Sequence, residues 1–196
     1  MIRLFDTVIS IFGLILLSPI FMIIILLIKI DSKGPVFYKQ IRVGKKGIDF
    51  ELFKFRSMYL KSDIAGLLTV GQNDSRITKI GSFLRKYKFD ELPQLINVLL
   101  GEMSLVGPRP EVHKYVDLYT EDQKRILTVR PGITDYASIA YRNENSLLEN
   151  SENPEEYYIK HILPEKIKLN MKFIENRRIS EYFKLIFLTF KVIIIK

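Results

Sequence analysis

At 196 residues the chain has room for one domain with its own core and is too short for two comfortable ones. Thirty Lys and Arg against 22 Asp and Glu leave a net charge of +8, which favours an anionic partner such as nucleic acid, acidic lipid or a phosphorylated substrate. Cysteine is absent, so a disulfide framework and a thiolate metal site are excluded, and two histidines, His113 and His161, are too few for a typical histidine-based zinc site.

Residues 8–28 carry no charge and consist mostly of Ile, Leu, Val, Phe and Met. Roughly 20 apolar residues are what a bilayer-spanning helix needs. The following Lys29-Ile30-Asp31-Ser32-Lys33-Gly34-Pro35 offers no small-residue cleavage site, so the segment is expected to stay attached. Ser18-Pro19 interrupts it. Proline removes a helical donor at a cost of about 3 kcal/mol in a soluble helix, and in lipid the serine hydroxyl is a local substitute partner. Two readings stand: a kinked helix that crosses once, or a re-entrant one that enters and leaves on the same side. Arg3 precedes the segment and Lys29, Lys33, Lys39, Arg42, Lys45 and Lys46 follow it. Basic flanks on both sides suit two cytoplasmic ends, but the first flank holds one positive residue, and sequence physics alone slightly favours a single crossing.

Beyond residue 30 the pattern becomes that of a mixed globular domain. Val36-Phe37-Tyr38 and residues 49–55 read as strands, with turns at Gly34-Pro35 and at Gly44-Lys45-Lys46-Gly47. Residues 63–76 read as a loop, residues 80–84 open a helix, and residues 91–100 are apolar at helical spacing until Gly101. Gly107-Pro108-Arg109-Pro110 is irregular by chemistry. Residues 111–127 read as helix ended by Arg130-Pro131-Gly132, residues 143–154 as polar loop, and residues 155–177 as one or two helices broken near Leu163-Pro164. In residues 181–196, Lys184 and Lys191 lie two turns apart on one face of an apolar helix. An interfacial helix on anionic lipid and an ordinary core helix explain that equally well.

The densest chemistry is Arg85-Lys86-Tyr87-Lys88-Phe89-Asp90-Glu91-Leu92-Pro93-Gln94. Alone, Asp90 and Glu91 are what a helix start commonly carries as a cap and a first-turn acid. Set among Arg85, Lys86, Lys88 and the proline-flanked Arg109, the same pair suits phosphoryl chemistry. A helix start receives phosphate, a carboxylate serves as nucleophile, and an oxygen-only site suits Mg2+. Two prolines around Arg109 lower the entropy it loses on gripping an anion. Lys54-Phe55-Arg56-Ser57-Met58 fits either a strand with one solvated face or a ligand-binding edge. Arg130-Pro131-Gly132-Ile133-Thr134 either closes over a ligand or turns the chain. His113 and His161 read as bystanders.

In order and spacing, the chain resembles the monotopic phosphoglycosyl transferases, small bacterial sugar transferases. The resemblance runs through Ser18-Pro19, Gly34-Pro35-Val36-Phe37, Lys54-Phe55-Arg56-Ser57-Met58, Asp90-Glu91-Leu92-Pro93-Gln94, Met103-Ser104-Leu105-Val106-Gly107-Pro108-Arg109-Pro110 and Arg130-Pro131-Gly132-Ile133-Thr134. It implies transfer of a sugar 1-phosphate from a UDP-sugar to polyprenyl (undecaprenyl) phosphate, releasing UMP, as the first membrane step of surface-glycan synthesis. Asp90 would attack the β-phosphate and carry the phosphosugar, giving ping-pong kinetics. Glu91 would assist with magnesium and proton handling, so that Asp90 and Glu91 are the implied metal ligands. Arg85 and Arg109, with Lys54, Arg56, Arg130 and Arg142, would bind substrate and phosphate.

The resemblance also implies that Ser18 and Pro19 mark a re-entrant helix with both ends on the cytoplasmic side of the bacterial inner membrane. The expected fold is then α/β, mostly helical with a small β element. A membrane-anchoring helix over 1–30 would precede a catalytic domain over 31–196 that ends in an interfacial helix. Where many relatives continue Pro-Gly-Ile-Thr with glycine, this chain has Asp135-Tyr136-Ala137-Ser138 before Tyr141-Arg142-Asn143, a departure that touches sugar and nucleotide specificity. The extra amino-terminal spans of larger relatives are not found here, as expected of a minimal catalytic form.

Two other functions compete with this one. A basic, non-enzymatic adaptor would bind acidic lipid or nucleic acid through its net charge. Paired carboxylates inside the most basic stretch, and the lack of a recognised nucleic-acid-binding motif, count against it. A direct glycosyl transferase would release UDP in place of UMP.

Overall fold

A computed structural model describes residues 1–62, 66, 68–71 and 74–194; the loop expected over 63–76 and the end of the last helix lie partly outside these. Among the described residues the chain is mostly helical, with two small two-stranded sheets and one long apolar helix at its start.

That helix, α1 (Ile2–Asp31), runs through Pro19. Ser18 donates its hydroxyl to the carbonyl of Ile15 at 2.8 Å. This is the carbonyl four residues before Pro19, which loses its regular donor to the proline ring. In its most apolar 18-residue stretch 11% of residues are buried. Leu4, Val8, Phe12, Ile15, Leu16, Met22, Ile23 and Leu26 are exposed. A soluble core helix would hide such a surface, so its natural solvent is lipid.

Both ends of α1 are tied to the rest of the chain. Near its start, the buried Asp6 carboxylate accepts hydrogen bonds from the Ser104 hydroxyl, the Leu105 amide at 2.9 Å and the Tyr182 hydroxyl at 2.7 Å. Arg3 donates to the carbonyls of Val98 and Leu99. Near its end, Ile24 and Ile28 pack with Phe55 and Leu84, Asp31 accepts from the amide of Ile80, and Arg56 donates to the carbonyls of Ser32 and Lys33.

Strands β1 (Phe37–Val43) and β2 (Asp49–Phe55) form an antiparallel hairpin, with Phe37 opposite Phe55 and Val43 opposite Asp49. The expected turn at residues 44–47 joins them, with Lys46 and Gly47 at positive φ. Helix α2 (Lys79–Lys86) begins at Thr78, whose hydroxyl accepts from the amide of Gly81. Phe89–Glu91 forms a single 3₁₀ turn, and α3 (Gln94–Leu100) ends at Gly101 with φ of 91°. Asn97 docks α3 on the hairpin: its side chain accepts from the Phe53 amide at 3.0 Å and donates to the Glu51 carbonyl at 2.7 Å.

Several segments depart from the sequence expectation. Gly132–Thr134, within a stretch read as closing over a ligand or turning the chain, is a strand (β4) that pairs in parallel with Ser104–Val106 (β3), to which the sequence assigned no element. The pairing needs two glycines: a Cβ on Gly132 would stand 2.1 Å from the Gly107 nitrogen. The helix expected over 111–127 reduces to α4 (His113–Val116) and a 3₁₀ segment, Gln123–Thr128. Between them Thr120 and Gln123 exchange side-chain to backbone bonds, a capping box that starts the chain afresh. The expected loop over 143–154 contains α6 (Glu144–Glu149), which follows α5 (Tyr136–Ala140).

From α7 (Pro154–Tyr157) the helical path continues unbroken through a wide π turn, Tyr158–Ile162, into α8 (Leu163–Glu175). The wide turn makes room for the ring of Pro164, which an ordinary turn would press against the carbonyl of Lys160. Helix α9 (Ile179–Ile194) buries Tyr182 and Leu185 and exposes Phe183, Phe187 and Phe190.

Candidate active site

Three elements converge on the acid pair. The end of β2 supplies Lys54, the 3₁₀ turn supplies Asp90 and Glu91, and the loop after β3 supplies Arg109. The turn is entered through Lys88, held at φ of 59° in the left-handed region. Such a backbone disfavours a side-chain-bearing residue and persists only when its surroundings impose it.

Glu91 is gripped by cations. Arg109 donates to Oε2 at 3.1 Å and also to Oε1, a two-pronged contact, while Lys54 Nζ donates to Oε1 at 3.2 Å. Asp90 is 5% exposed, and its Oδ1 is buried without a hydrogen-bond partner. The adjacent carboxyls are driven apart. Burial, with the neighbouring charge of Glu91, pushes Asp90 up, against the pull of Lys54, Arg85 and Lys88. Burial would raise Glu91 too, but Arg109 and Lys54 outweigh it and hold that carboxyl well below the usual range. In turn, burial lowers Lys54 while Glu91 raises Arg109. One carboxylate is therefore committed to its cations, and the other has an oxygen to spare.

Arg109 is itself held in place. Its amide donates to Asp135 Oδ2 at 2.9 Å, and Asp135 also caps α5 through the amide of Ser138. The next residue, Pro110, accepts from Arg42 at 3.0 Å. Behind it the buried Glu111 carboxylate meets Lys166 at 3.3 Å, the Tyr158 hydroxyl at 2.7 Å and Arg42 at 3.5 Å, and Lys166 reaches Glu144 at 3.1 Å. Arg42, Glu111, Asp135, Tyr158 and Lys166 are absent from the sequence-based site. One signal for them exists: Lys166 sits on the buried face of α8 with Leu163, Ile167 and Phe173, where an unpaired lysine would be costly.

The other expected cations are dispersed. Arg85, in the last turn of α2, is half-buried and close enough to act on the charge of Asp90. Arg142 lies in the turn after α5, half-buried. Arg56 and Arg130 have other partners than the acid pair. Arg56 closes the carboxyl end of α1, bonding the carbonyls of Ile28, Ser32 and Lys33 and the Ser32 hydroxyl. Arg130 donates to the Gly101 carbonyl at 2.7 Å, at the end of α3.

Among the described residues no group of three or more His, Asp or Glu side chains is clustered for a metal. A magnesium ion needs less, since it usually takes one or two carboxylates and completes its shell with water and substrate phosphate. The spare Asp90 oxygen fits that role, whereas both Glu91 oxygens already accept from Arg109 and Lys54.

The site is thus an acid pair sorted by its cations, on a body docked against a long, exposed apolar helix. Residues 1–196 match the family described as bacterial sugar transferase, and the chain belongs to that family. It is similar to the UDP-glucose:undecaprenyl-phosphate glucose-1-phosphate transferase of Klebsiella pneumoniae, with 40% identity over 88% of this chain and 38% of that protein. It is 47% identical to the uncharacterized sugar transferase EpsL of Bacillus subtilis, over 72% of this chain and 69% of the relative. The UDP-N-acetylgalactosamine-undecaprenyl-phosphate N-acetylgalactosaminephosphotransferase of Aeromonas hydrophila is 40% identical, over 69% of this chain and 33% of its own length. Of the two longer relatives the chain thus spans 38% and 33%.

Proposed function

We propose that this chain transfers a sugar 1-phosphate from a UDP-sugar to undecaprenyl phosphate, with Asp90 as the covalent carrier. The observation that carries the reading is the Asp90 carboxyl, with a buried oxygen that lacks a partner, beside a Glu91 committed to Arg109 and Lys54. The names of the Klebsiella and Aeromonas relatives support the donor and acceptor classes.

In the first half-reaction an Asp90 oxygen attacks the β-phosphorus. An acyl-phosphate bond forms, the bond from that phosphorus to the bridging oxygen breaks, and UMP leaves with the electron pair. In the second, a phosphate oxygen of the lipid attacks the same phosphorus and Asp90 departs as carboxylate, giving a lipid diphosphosugar. Arg109 and Lys54 set the positive potential of the pocket, Glu91 orients both, and Arg85 meets phosphate at the edge. Magnesium, held by Asp90 and substrate oxygens, would neutralise the diphosphate charge.

The attachment of both α1 ends to one body supports a re-entrant course, because a helix that crossed the bilayer would carry Asp6 and Asp31 to opposite faces. Phe183, Phe187 and Phe190, on one exposed side of α9 with Lys184 and Lys191, suit a helix lying in the headgroup layer. The site would then face the cytoplasm at the inner membrane, and the product would start a surface glycan. The test is UMP release from a panel of UDP-sugars with undecaprenyl phosphate. Asp90→Asn should abolish it while membrane association persists, and release of UDP in its place would point to direct glycosyl transfer.

A further inference from the structure

Directly beside Asp90, α2 and the turn after it present an aromatic surface that the acid–base chemistry does not use. Phe83 and Tyr87, one turn apart, have ring centroids 5.0 Å apart, and Phe89 stands 6.1 Å from the first and 6.0 Å from the second. Phe83 is 49% exposed and Tyr87 40% exposed, which is unusual for two aromatic rings in contact on a polar helix. Phe89 is half-buried and belongs to the cluster formed by Ile24 and Ile28 of α1 with Phe55 and Leu84. The patch is therefore continuous at one edge with the lipid-suited helix and at the other, through the peptide bond from Phe89, with the nucleophile. Cations accompany it: Arg85 acts on the charge of Asp90, and Lys86 lies over the Tyr87 ring at 5.6 Å.

We infer that Phe83, Tyr87 and Phe89 seat the first isoprene units of the acceptor lipid beside Asp90. The inference rests on the transferase reading above and extends it to a subsite. An amphiphilic phosphate ester needs an anion seat at the reacting atom and an apolar path from there to the bilayer. The trio with its neighbouring arginine and lysines provides the two within a few residues. Burial of a few isoprene units against rings of this kind is favourable in proportion to the apolar area removed from water. A soluble nucleotide sugar has no use for an apolar path that leads to lipid.

Because the two half-reactions are separable, the subsite can be tested apart from the chemistry. The full-length protein in detergent micelles is mixed with a UDP-sugar that the wild type accepts, first without acceptor and then over a range of undecaprenyl phosphate mole fractions. For F83A/Y87A the seat predicts an unaltered stoichiometric burst of UMP without acceptor and a KM for undecaprenyl phosphate raised about tenfold. F83L/Y87L, which keeps the apolar area and loses the rings, should stay within about threefold of wild type. Loss of the burst in F83A/Y87A without rescue by leucine would overturn the inference in favour of base stacking by the donor. An unchanged KM for the acceptor, with weaker sedimentation on phospholipid vesicles, would overturn it in favour of a simple membrane contact. A wild type that turns over with no burst would remove the covalent-carrier reading on which the inference rests, and the inference with it.

Discussion

Arg109 holds Glu91 by both carboxylate oxygens across eighteen residues of sequence, and the same Glu91 takes Lys54 from a strand thirty-seven residues away. The acid that follows Asp90 therefore fixes the local cations and leaves Asp90 as the carboxyl with an uncommitted oxygen. Arg109→Lys keeps the charge and loses the fork. It should lower UMP release by about 10- to 100-fold, on the scale of one lost charge-assisted hydrogen bond. An equal loss in Arg109→Lys and Arg109→Ala, read by steady-state UMP release, is the expected sign that the fork matters more than the charge.

The buried ion network behind Pro110 makes stability depend on pH in two directions. Burial alone would raise Glu111, but Lys166 and Arg42 outweigh it and hold its carboxyl below 4.5. Its contribution is complete above 4.5 and is lost as pH falls through the depressed value. Burial alone would lower Lys166, but Glu111 and Glu144 outweigh it and raise the ammonium above 10.5. Its contribution is complete below 10.5 and is lost as pH rises through the raised value. Thermal unfolding should plateau between these limits, and Glu111→Gln should lower the plateau and flatten the acid limb.

Asp6→Ala removes the acceptor of the Ser104 and Tyr182 hydroxyls and of the Leu105 amide together. Leaving buried donors unmet costs about 1–3 kcal/mol each before relaxation. A clear fall in Tm is expected in detergent, larger than for Tyr182→Phe, which removes one donor at about 1 kcal/mol.

The α1 anchoring also predicts topology. Cysteines introduced singly beside Met1 and at Lys33 should both resist a membrane-impermeant thiol reagent added outside intact cells and react after the membrane is opened. Labelling of either one from outside would require a crossing helix and detachment of one of its two docking sites.

Much of this was legible in sequence wherever the physics is local. The hairpin follows from residues 49–55 and the turn at 44–47. The partner of the Ile15 carbonyl follows from serine preceding proline, and the acid pair stands out because Asp90 and Glu91 are neighbours among cations. What stayed hidden depends on contacts between distant segments. Gly107 and Gly132 look like turn residues until two backbones must touch, and three-residue strands carry no readable period. Arg56 and Arg130 resemble phosphate ligands in their motifs, yet each is drawn to carbonyls at a helix end, which sequence spacing does not reveal. Thr120-Glu121-Asp122-Gln123 is a readable capping box that divides a stretch otherwise apolar at helical spacing.

Intact-mass spectrometry of the wild type mixed with a UDP-sugar and no lipid acceptor reaches the central claim most directly. A mass gain of one phosphosugar, mapped to the peptide holding Asp90, absent from Asp90→Asn and discharged by undecaprenyl phosphate, is the predicted result. Turnover without any such adduct, and with rate laws that demand donor and acceptor bound together, would contradict it.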